Sequence, residues 1–249
     1  MIAVRHAVLS DKGLRHECNE DRWFANPTDG LYFVSDGMAN EPTPQFVLDR
    51  LPTLIHTTLT DLRDSTAVAA GLMLQRVVCE LNNEVRSMDA ELRKQSGIVG
   101  ATLVMALVRT NDVLLSHVGD SRIYLHRAGA LEQLTQDHSL VQDSLTAGKI
   151  TATKAGALGF NGGPSRYIGM RSPIVADVRA VELLPGDRLL LCSDGLVEML
   201  PDEAILTLLN ESSDLDLACQ ALVAAANTAG GFDNVTVLLI GAESVGHAL

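Results

Sequence analysis

Short apolar runs that end abruptly at an aspartate are the feature that most constrains the fold of this 249-residue chain. Three runs of strand length end at Asp36, Asp120 and Asp194, and a fourth begins directly after Asp233 and Asn234. A single Asp-Gly pair after a strand usually marks a turn. Four such strand ends can bring carboxylates together, and carboxylate oxygens are the ligands that Mg²⁺ and Mn²⁺ prefer. The pattern therefore predicts a β-rich fold with an oxygen-ligand metal site.

The spacing of apolar residues predicts strands in groups and helices in groups. Strands are expected at residues 3–10, 22–35 (with a turn at 26–30), 101–109, 113–118, 121–127, 131–134, 174–183, 188–193 and 234–241. Helices are expected at 66–92, 201–210 and 214–229. On the first of these helices, apolar residues recur at steps of three and four: Leu74, Val77, Val78, Leu81, Val85, Met88 and Leu92. Grouped elements are typical of an α+β fold, and no Pro/Gly/Ser-rich linker divides the chain, so we expect a single domain.

Composition excludes several classes of partner. The formal net charge is -12, from 19 Lys+Arg against 31 Asp+Glu, which argues against binding to nucleic acid or to an anionic membrane and suits cations. We find neither a secretory signal nor an apolar stretch of the roughly 20 residues that a membrane span needs. The cysteines at positions 18, 79, 192 and 219 form no Cys-x-x-Cys pair, so reduced thiols and a cytoplasmic location are expected.

Seven stretches carry a resemblance to a known family when they are taken in order. They lie at residues 13–22, 34–38, 100–102, 117–124, 134–139, 184–196 and 230–237. Together they resemble the PPM family, the metal-dependent serine/threonine protein phosphatases also called protein phosphatase type 2C, in its compact bacterial form. The resemblance implies a four-layer αββα sandwich of two antiparallel β-sheets flanked by helix pairs. It also implies one phosphatase domain over residues 1–249, with a mobile flap at about 141–168.

The resemblance also implies a role for each strand-end acid. Asp36 would bridge two metal ions, and the backbone carbonyl of Gly37 would bind the first of them. Asp194 and Asp233 would hold the second ion. The remaining acids are implied to be accessory ligands: Glu20 and Asp21 through metal-bound water, and Asp120, together with Asp194, on a third ion. The cofactor would be Mn²⁺ or Mg²⁺, and a hydroxide bridging the two ions would attack the phosphorus in line with the leaving oxygen.

Two further sites are less determined by the sequence. Bacterial members of the family place an arginine that grips the substrate phosphate at the position of His16, so either His16 or the neighbouring Arg15 could bind phosphate here. An equally open interpretation is that His16 fills a strand-edge position and the metal ions hold the phosphate. His138 is a candidate general acid for the leaving oxygen, although a helix-start residue that bonds backbone is at least as good an interpretation. His117, inside a strand pattern, reads as a core histidine.

The expected activity is hydrolysis of phosphoserine and phosphothreonine in proteins, opposite a serine/threonine kinase, by a monomeric enzyme. Two alternatives stay open on the same fold: a catalytically silent binding or sensor module, and a phosphatase of small phosphoesters. The presence of Asp36, Asp194 and Asp233 favours catalysis over the silent module.

Overall fold

The computed structural model describes residues 3–38, 43–96, 100–110, 112–158 and 162–243. The strands are β1 (Ala3–Asp11), β2 (Arg22–Asn26), β3 (Leu31–Ser35), β4 (Leu103–Val108), β5 (Val113–Val118), β6 (Arg122–Arg127), β7 (Ala130–Gln133), β8 (Asp177–Val181), β9 (Arg188–Cys192) and β10 (Val235–Glu243). The helices are α1 (Thr43–Asp64), α2 (Ala67–Ser96), α3 (Leu140–Thr146), α4 (Ala152–Leu158), α5 (Asp194–Val197), α6 (Asp202–Glu211) and α7 (Leu215–Thr228).

The strands form two antiparallel sheets. The first sheet has the order β1-β10-β9-β6-β7, and the second has the order β2-β3-β4-β5-β8. In the first sheet, the end of β9 lies beside the starts of β10 and β6, since Cys192 pairs with both Val237 and Arg122. In the second sheet, the end of β3 lies beside the start of β4 and the end of β5. The strand-end aspartates of each sheet therefore lie at the same end of its strands.

Three hydrophobic cores stack the sheets and helices into four layers. Apolar residues of the two sheets, such as Val34 and Leu238, meet in a central core. Helices α1 and α2 bury Leu51 and Leu74 against the outer face of the second sheet. Helices α6 and α7 pack in the same way on the first sheet. This arrangement confirms the predicted α+β sandwich of two antiparallel sheets between helix pairs.

One long helix was not delimited by the sequence. Apolar spacing predicted the bounds of one helix before residue 100, at 66–92, which corresponds to α2. In the described residues a second helix, α1, precedes it. Pro52 lies inside α1, and proline normally ends a helical pattern since it lacks a backbone donor. The helix continues because its apolar face, which includes Val47, Leu51 and Leu54, is buried against α2 and the sheet.

The predicted flap contains α3 and α4. Residues 159–161 of the flap lie outside the described part of the chain, as do the side chains of Met88 and Leu92 on α2. Mobility of the flap stays a prediction. Within the described ranges, every helix is too short or too polar to cross a membrane.

Candidate metal centre

Asp36 is fixed at the end of β3 by contacts to the neighbouring strand. All five residues of β3 are buried, and the chain then leaves the sheet at Asp36. The Asp36 backbone N–H donates to Thr102 Oγ1 at 3.1 Å, and the Asp36 carbonyl accepts from the Thr102 N–H at 2.9 Å. Thr102 Oγ1 also lies 2.7 Å from Ser121 Oγ. One threonine thus ties Asp36 to the loop that carries Asp120.

Asp120 lies in a tight turn between β5 and β6. The preceding Gly119 has a φ of +113°, and a Cβ there would lie 2.6 Å from Thr102 Cγ2, so only glycine fits this turn. Asp120 is 1% exposed. Burial, followed by the charge of Asp194, raises the pKa of its carboxyl to about 8. The turn therefore holds a carboxyl group in a buried position beside Asp194.

The hydroxyl of Ser193, directly after β9, orients a second buried acid, Asp21. Ser193 Oγ donates to Asp21 Oδ2 at 2.7 Å and accepts from the Thr236 N–H at 2.9 Å. The next residue, Asp194, begins α5. Ser193 thus connects Asp21, Asp194 and the start of β10.

Asn234 joins the loop at 12–20 to the start of β10. Its Nδ2 donates to the carbonyls of Lys12 at 2.9 Å and Cys18 at 3.1 Å. Its Oδ1 accepts from the Glu20 N–H at 2.8 Å. Asn234 is buried, so these bonds have no competition from water and set the loop against Asp233.

Four acids interact at this point in the structure, and Asp120 extends the group through Asp194. Burial, followed by the charge of Asp194, raises the pKa of Asp36 well above its usual range. Burial is also the largest cause that raises the pKa values of Asp21 and Asp194 to about 6. Asp233 adds repulsion to all three. The structure therefore brings together Asp21, Asp36, Asp120, Asp194 and Asp233.

Several oxygens of this cluster are buried without a hydrogen-bond partner in the described structure. They are Asp21 Oδ1, both carboxylate oxygens of Asp120, and Asp194 Oδ1. Buried polar atoms are normally satisfied, and an unsatisfied cluster calls for an ion or water. All of these candidate metal ligands are carboxylate oxygens, which suits Mg²⁺ or Mn²⁺ rather than zinc or copper. The residues present fit a divalent hard cation.

Gly37 lies next to the cluster in a crowded position. A Cβ at Gly37 would approach Pro44 Cγ to 2.7 Å and the backbone oxygen of Glu20 to 3.3 Å. Its backbone pairs with Ala101 in an isolated bridge. The structure therefore places the backbone of Gly37 beside both Asp36 and Glu20.

The two candidate phosphate-binding residues lie in different surroundings. His16 Nε2 is 3.3 Å from Asp233 Oδ1, so His16 contacts the acidic cluster directly. The Arg15 guanidinium instead lies over the ring of Phe232, 5.3 Å from its centre. Both residues lie at the border of the cluster, and only His16 touches one of its carboxylates among the contacts of the described structure.

His138 is buried and held by the turn before Asp120. Its backbone N–H donates to the Gly119 carbonyl at 2.9 Å, and its Nδ1 accepts from the Gly119 N–H at 3.2 Å. Its Nε2 lies 3.1 Å from Arg166 Nη1 and 3.5 Å from Asp177 Oδ2. Burial, followed by His117 and Arg166, lowers the pKa of His138 to about 4, so the ring is neutral at pH 7.

His117, His138 and Asp177 place potential ligand atoms within 4.8 Å of one another, yet the geometry does not suit a metal. The two imidazole rings are stacked, with centres 4.5 Å apart and planes at 14°. The lone pairs of near-parallel rings lie in separate planes and do not converge on one ion. Arg166 adds a positive charge beside Nε2 of His138. His117 is a buried histidine whose Nε2 is bonded to the Gln136 carbonyl at 2.9 Å, in agreement with its interpretation as a core residue.

Four residues that build this site had no role predicted from the sequence. They are Thr102, Ser121, Ser193 and Asn234. Each stands at the end or the start of an apolar run, directly beside or across from an acid. Small polar residues at such positions are the signal that could have identified them.

Two family models match the chain in succession. The model described as protein phosphatase 2C matches residues 10–144, and the model described as stage II sporulation protein E matches residues 151–243. The first therefore covers more than half of the chain and includes Glu20, Asp21, Asp36 and Asp120.

Individual proteins of known name resemble the chain over nearly its whole length. The serine/threonine phosphatase stp of Listeria innocua is 31% identical over 238 residues, 93% of each chain. The catalytic domain of the serine/threonine protein phosphatase PstP, solved with two manganese ions, has a TM-score of 0.81 at 30% identity, and the match covers 98% of this chain and 100% of that one.

A third relative is PppA, a regulatory component of the type VI secretion system of Pseudomonas aeruginosa. It matches with a TM-score of 0.79 at 30% identity over 96% of this chain and 97% of its own. The family model, the level of identity and the sandwich agree with one another. The chain belongs to the protein phosphatase 2C family of serine/threonine phosphatases.

Proposed function

We propose that the acidic cluster is the active site for hydrolysis of phosphoserine and phosphothreonine in proteins. The observation that carries this proposal is the set of buried, unpartnered carboxylate oxygens at Asp21, Asp120 and Asp194. Ionised carboxylates buried together in this way need cations to neutralise them. The manganese ions of the related PstP structure support the same chemistry here.

The ligand roles proposed for the cluster are those that the resemblance to the family implies, and the proximity of the acids supports them. Asp36 lies close enough to Asp194 for the charge of Asp194 to raise its pKa, and it is proposed to bridge two ions, with the Gly37 carbonyl on one of them. Asp194 and Asp233 are proposed to hold the other ion. Glu20 and Asp21 would accept hydrogen bonds from water on the ions. When bound, Mn²⁺ or Mg²⁺ would supply positive charge for the phosphoryl oxygens and a water of lowered pKa.

A third ion is proposed at Asp120, together with Asp194. Both Asp120 oxygens are free of protein partners in the described structure, and their burial makes an uncompensated charge unfavourable. An Asp120→Asn variant should bind two ions instead of three and turn over more slowly. Full activity in this variant would remove Asp120 from the mechanism.

Substrate phosphate is proposed to enter beside His16 and Arg15. Because His16 already contacts Asp233, we favour His16 as the nearer donor, with Arg15 as a charge that attracts phosphate. Kinetics of His16→Ala and Arg15→Ala test this assignment. An unchanged Michaelis constant for either variant would remove that residue from the phosphate site.

The decisive experiment measures hydrolysis of an aryl phosphate and of a phosphothreonine peptide, with Mn²⁺ and with a chelator. We expect metal-dependent turnover of both substrates, and Asp36→Asn should abolish metal binding and turnover together. Turnover of small phosphoesters without any phosphopeptide activity would favour the metabolite phosphatase instead. Folded protein that binds no Mn²⁺ and hydrolyses neither substrate would favour the silent module.

The cellular setting proposed for the enzyme follows from the activity. A protein phosphatase acts on phosphoproteins, and we propose a serine/threonine kinase as its functional counterpart. The proposed enzyme is a cytoplasmic monomer that binds neither nucleic acid nor membrane, which agrees with the net charge of -12. Size-exclusion chromatography with light scattering tests the monomer.

A further inference from the structure

Two large apolar side chains stand exposed beside the acidic cluster. Leu14 is 65% exposed and Phe232 is 55% exposed. Their loops are in contact, because the Leu14 N–H donates to the Gly231 carbonyl at 2.8 Å. The Arg15 guanidinium covers one part of the Phe232 ring at 5.3 Å, a cation–π contact that orients the ring. We call Leu14 and Phe232 the apolar rim.

The apolar rim is built on tightly packed backbone. Gly13 has a φ of +72°, and a Cβ on it would lie 2.2 Å from the Asp233 carbonyl oxygen. Gly231 has a φ of +53°, and a Cβ there would lie 2.7 Å from Leu14 Cγ. Both positions therefore require glycine. The two loops meet at van der Waals distance, which gives the rim a defined shape before any ligand binds.

The apolar rim directly borders the proposed reaction site. Phe232 precedes Asp233, and His16, two residues after Leu14, lies 3.3 Å from the Asp233 carboxylate. When the phosphate of a substrate residue reaches the cluster, the residues before and after it in the substrate chain must lie close to the cluster as well. Consecutive residues of an extended chain are separated by about 3.5 Å, so the nearest neighbours pass over the rim.

We propose that the apolar rim binds an apolar side chain next to the phosphorylated residue of the substrate. The ligand is thus a phosphorylated protein segment with a Leu-like residue one or two positions from the phosphoserine or phosphothreonine. The inference rests on the proposed function, and it adds a preference for particular substrates. Burial of apolar surface supplies the binding energy for this side chain. The phosphate is bound separately, by the metal ions that the carboxylates would hold and by Arg15.

The chain offers a matched control at the opposite end of α7. Leu217 is 56% exposed and lies in the first turn of α7, whereas the rim follows the last turn of that helix. The 14-residue helix places about 20 Å between them at 1.5 Å per residue. Leu217→Ser removes an equally exposed apolar side chain without touching the rim.

The experiment uses two phosphothreonine peptides and one aryl phosphate, all with saturating Mn²⁺. One peptide carries leucine on both sides of the phosphothreonine, and the other carries serine at the same positions. We expect the wild-type protein to hydrolyse the leucine peptide with a Michaelis constant about tenfold lower, as burial of one apolar side chain allows. Leu14→Ser and Phe232→Ser should remove this preference through a higher Michaelis constant for the leucine peptide, while Phe232→Leu should retain part of it.

The outcomes separate the inference from the proposed function. Equal Michaelis constants for the two peptides in the wild-type protein, or a preference that survives Leu14→Ser and Phe232→Ser, would overturn the apolar rim as a binding surface. Loss of the preference in Leu217→Ser would also contradict it. Failure to hydrolyse any of the three substrates would instead reject the proposed function.

Discussion

Single polar residues decide how the carboxylates of this chain face one another. His138 illustrates the point, because its ring bonds the Gly119 N–H on one side and lies near Arg166 and Asp177 on the other. A general acid must instead direct a proton at the leaving oxygen. The general-acid role stays a prediction, and the contacts of the ring favour a role in positioning the turn before Asp120.

A leaving-group comparison tests His138. Asparagine places a polar acceptor near the position of Nδ1, so we expect His138→Asn to keep the bond from Gly119 and lose less than about threefold in turnover, whereas His138→Leu loses about tenfold or more. Both variants should affect phosphothreonine peptide and aryl phosphate equally. A loss confined to the peptide, whose alkoxide leaving group needs a proton, would restore the general acid.

At the scale of elements, the site exists because loops are fastened to strand ends. The loop at 12–20 carries Arg15, His16 and Glu20, and it contains no helix or strand. Asn234 at the start of β10 holds this loop by three hydrogen bonds. Asn234 therefore contributes several of the bonds that fix this loop, beside the bond from the Leu14 N–H to the Gly231 carbonyl.

Replacement of Asn234 by alanine should weaken this attachment. Each buried hydrogen bond contributes about 1 kcal/mol net, so Asn234→Ala should lower the free energy of unfolding by about 3 kcal/mol and reduce Mn²⁺ affinity. Asn83→Ala, at an exposed position on α2, is the control and should change stability by less than about 0.5 kcal/mol. Denaturant titration and calorimetry measure the two effects, and equal stabilities for the two variants would contradict the attachment.

At the scale of the whole molecule, the three cores share two sheets. Each sheet contributes one face to the central core and the other face to a helix pair. We propose that residues 1–249 form one domain, so chemical denaturation should give a single transition by both circular dichroism and tryptophan fluorescence of Trp23. Two separate transitions would argue for independent units.

The buried acids should also make global stability depend on pH and metal. Burial, followed by Asp194, raises the pKa of Asp120 to about 8, above the value of about 4 in an unfolded chain. At pH 7 the folded state therefore keeps a proton that the unfolded state has lost, and stability falls as pH rises through 8. Without metal, we expect a loss of about 1 kcal/mol between pH 7 and pH 8.

Two comparisons isolate this effect. Asp120→Asn lacks the titrating group and should show almost no loss over the same interval. Saturating Mn²⁺ binds the ionised carboxylates and should both raise stability and remove the decline. A decline of the same size in Asp120→Asn, measured by urea denaturation, would assign it to other groups.

The sequence by itself determined which residues could hold metal and which family the chain resembles, because strand-end aspartates and their neighbours are local patterns that survive without coordinates. It also set most strand positions, since period and turn residues are local as well. The bounds of helix α1 were not predicted, because Pro52 lies inside it and only burial against α2 and the second sheet lets the helix continue past that residue. Only the tertiary structure decided that Asp21, Asp36, Asp194 and Asp233 interact directly, that Thr102 and Asn234 hold their loops, and that Leu14 meets Phe232. These contacts join residues far apart in the chain, and their geometry depends on how two sheets pack face to face.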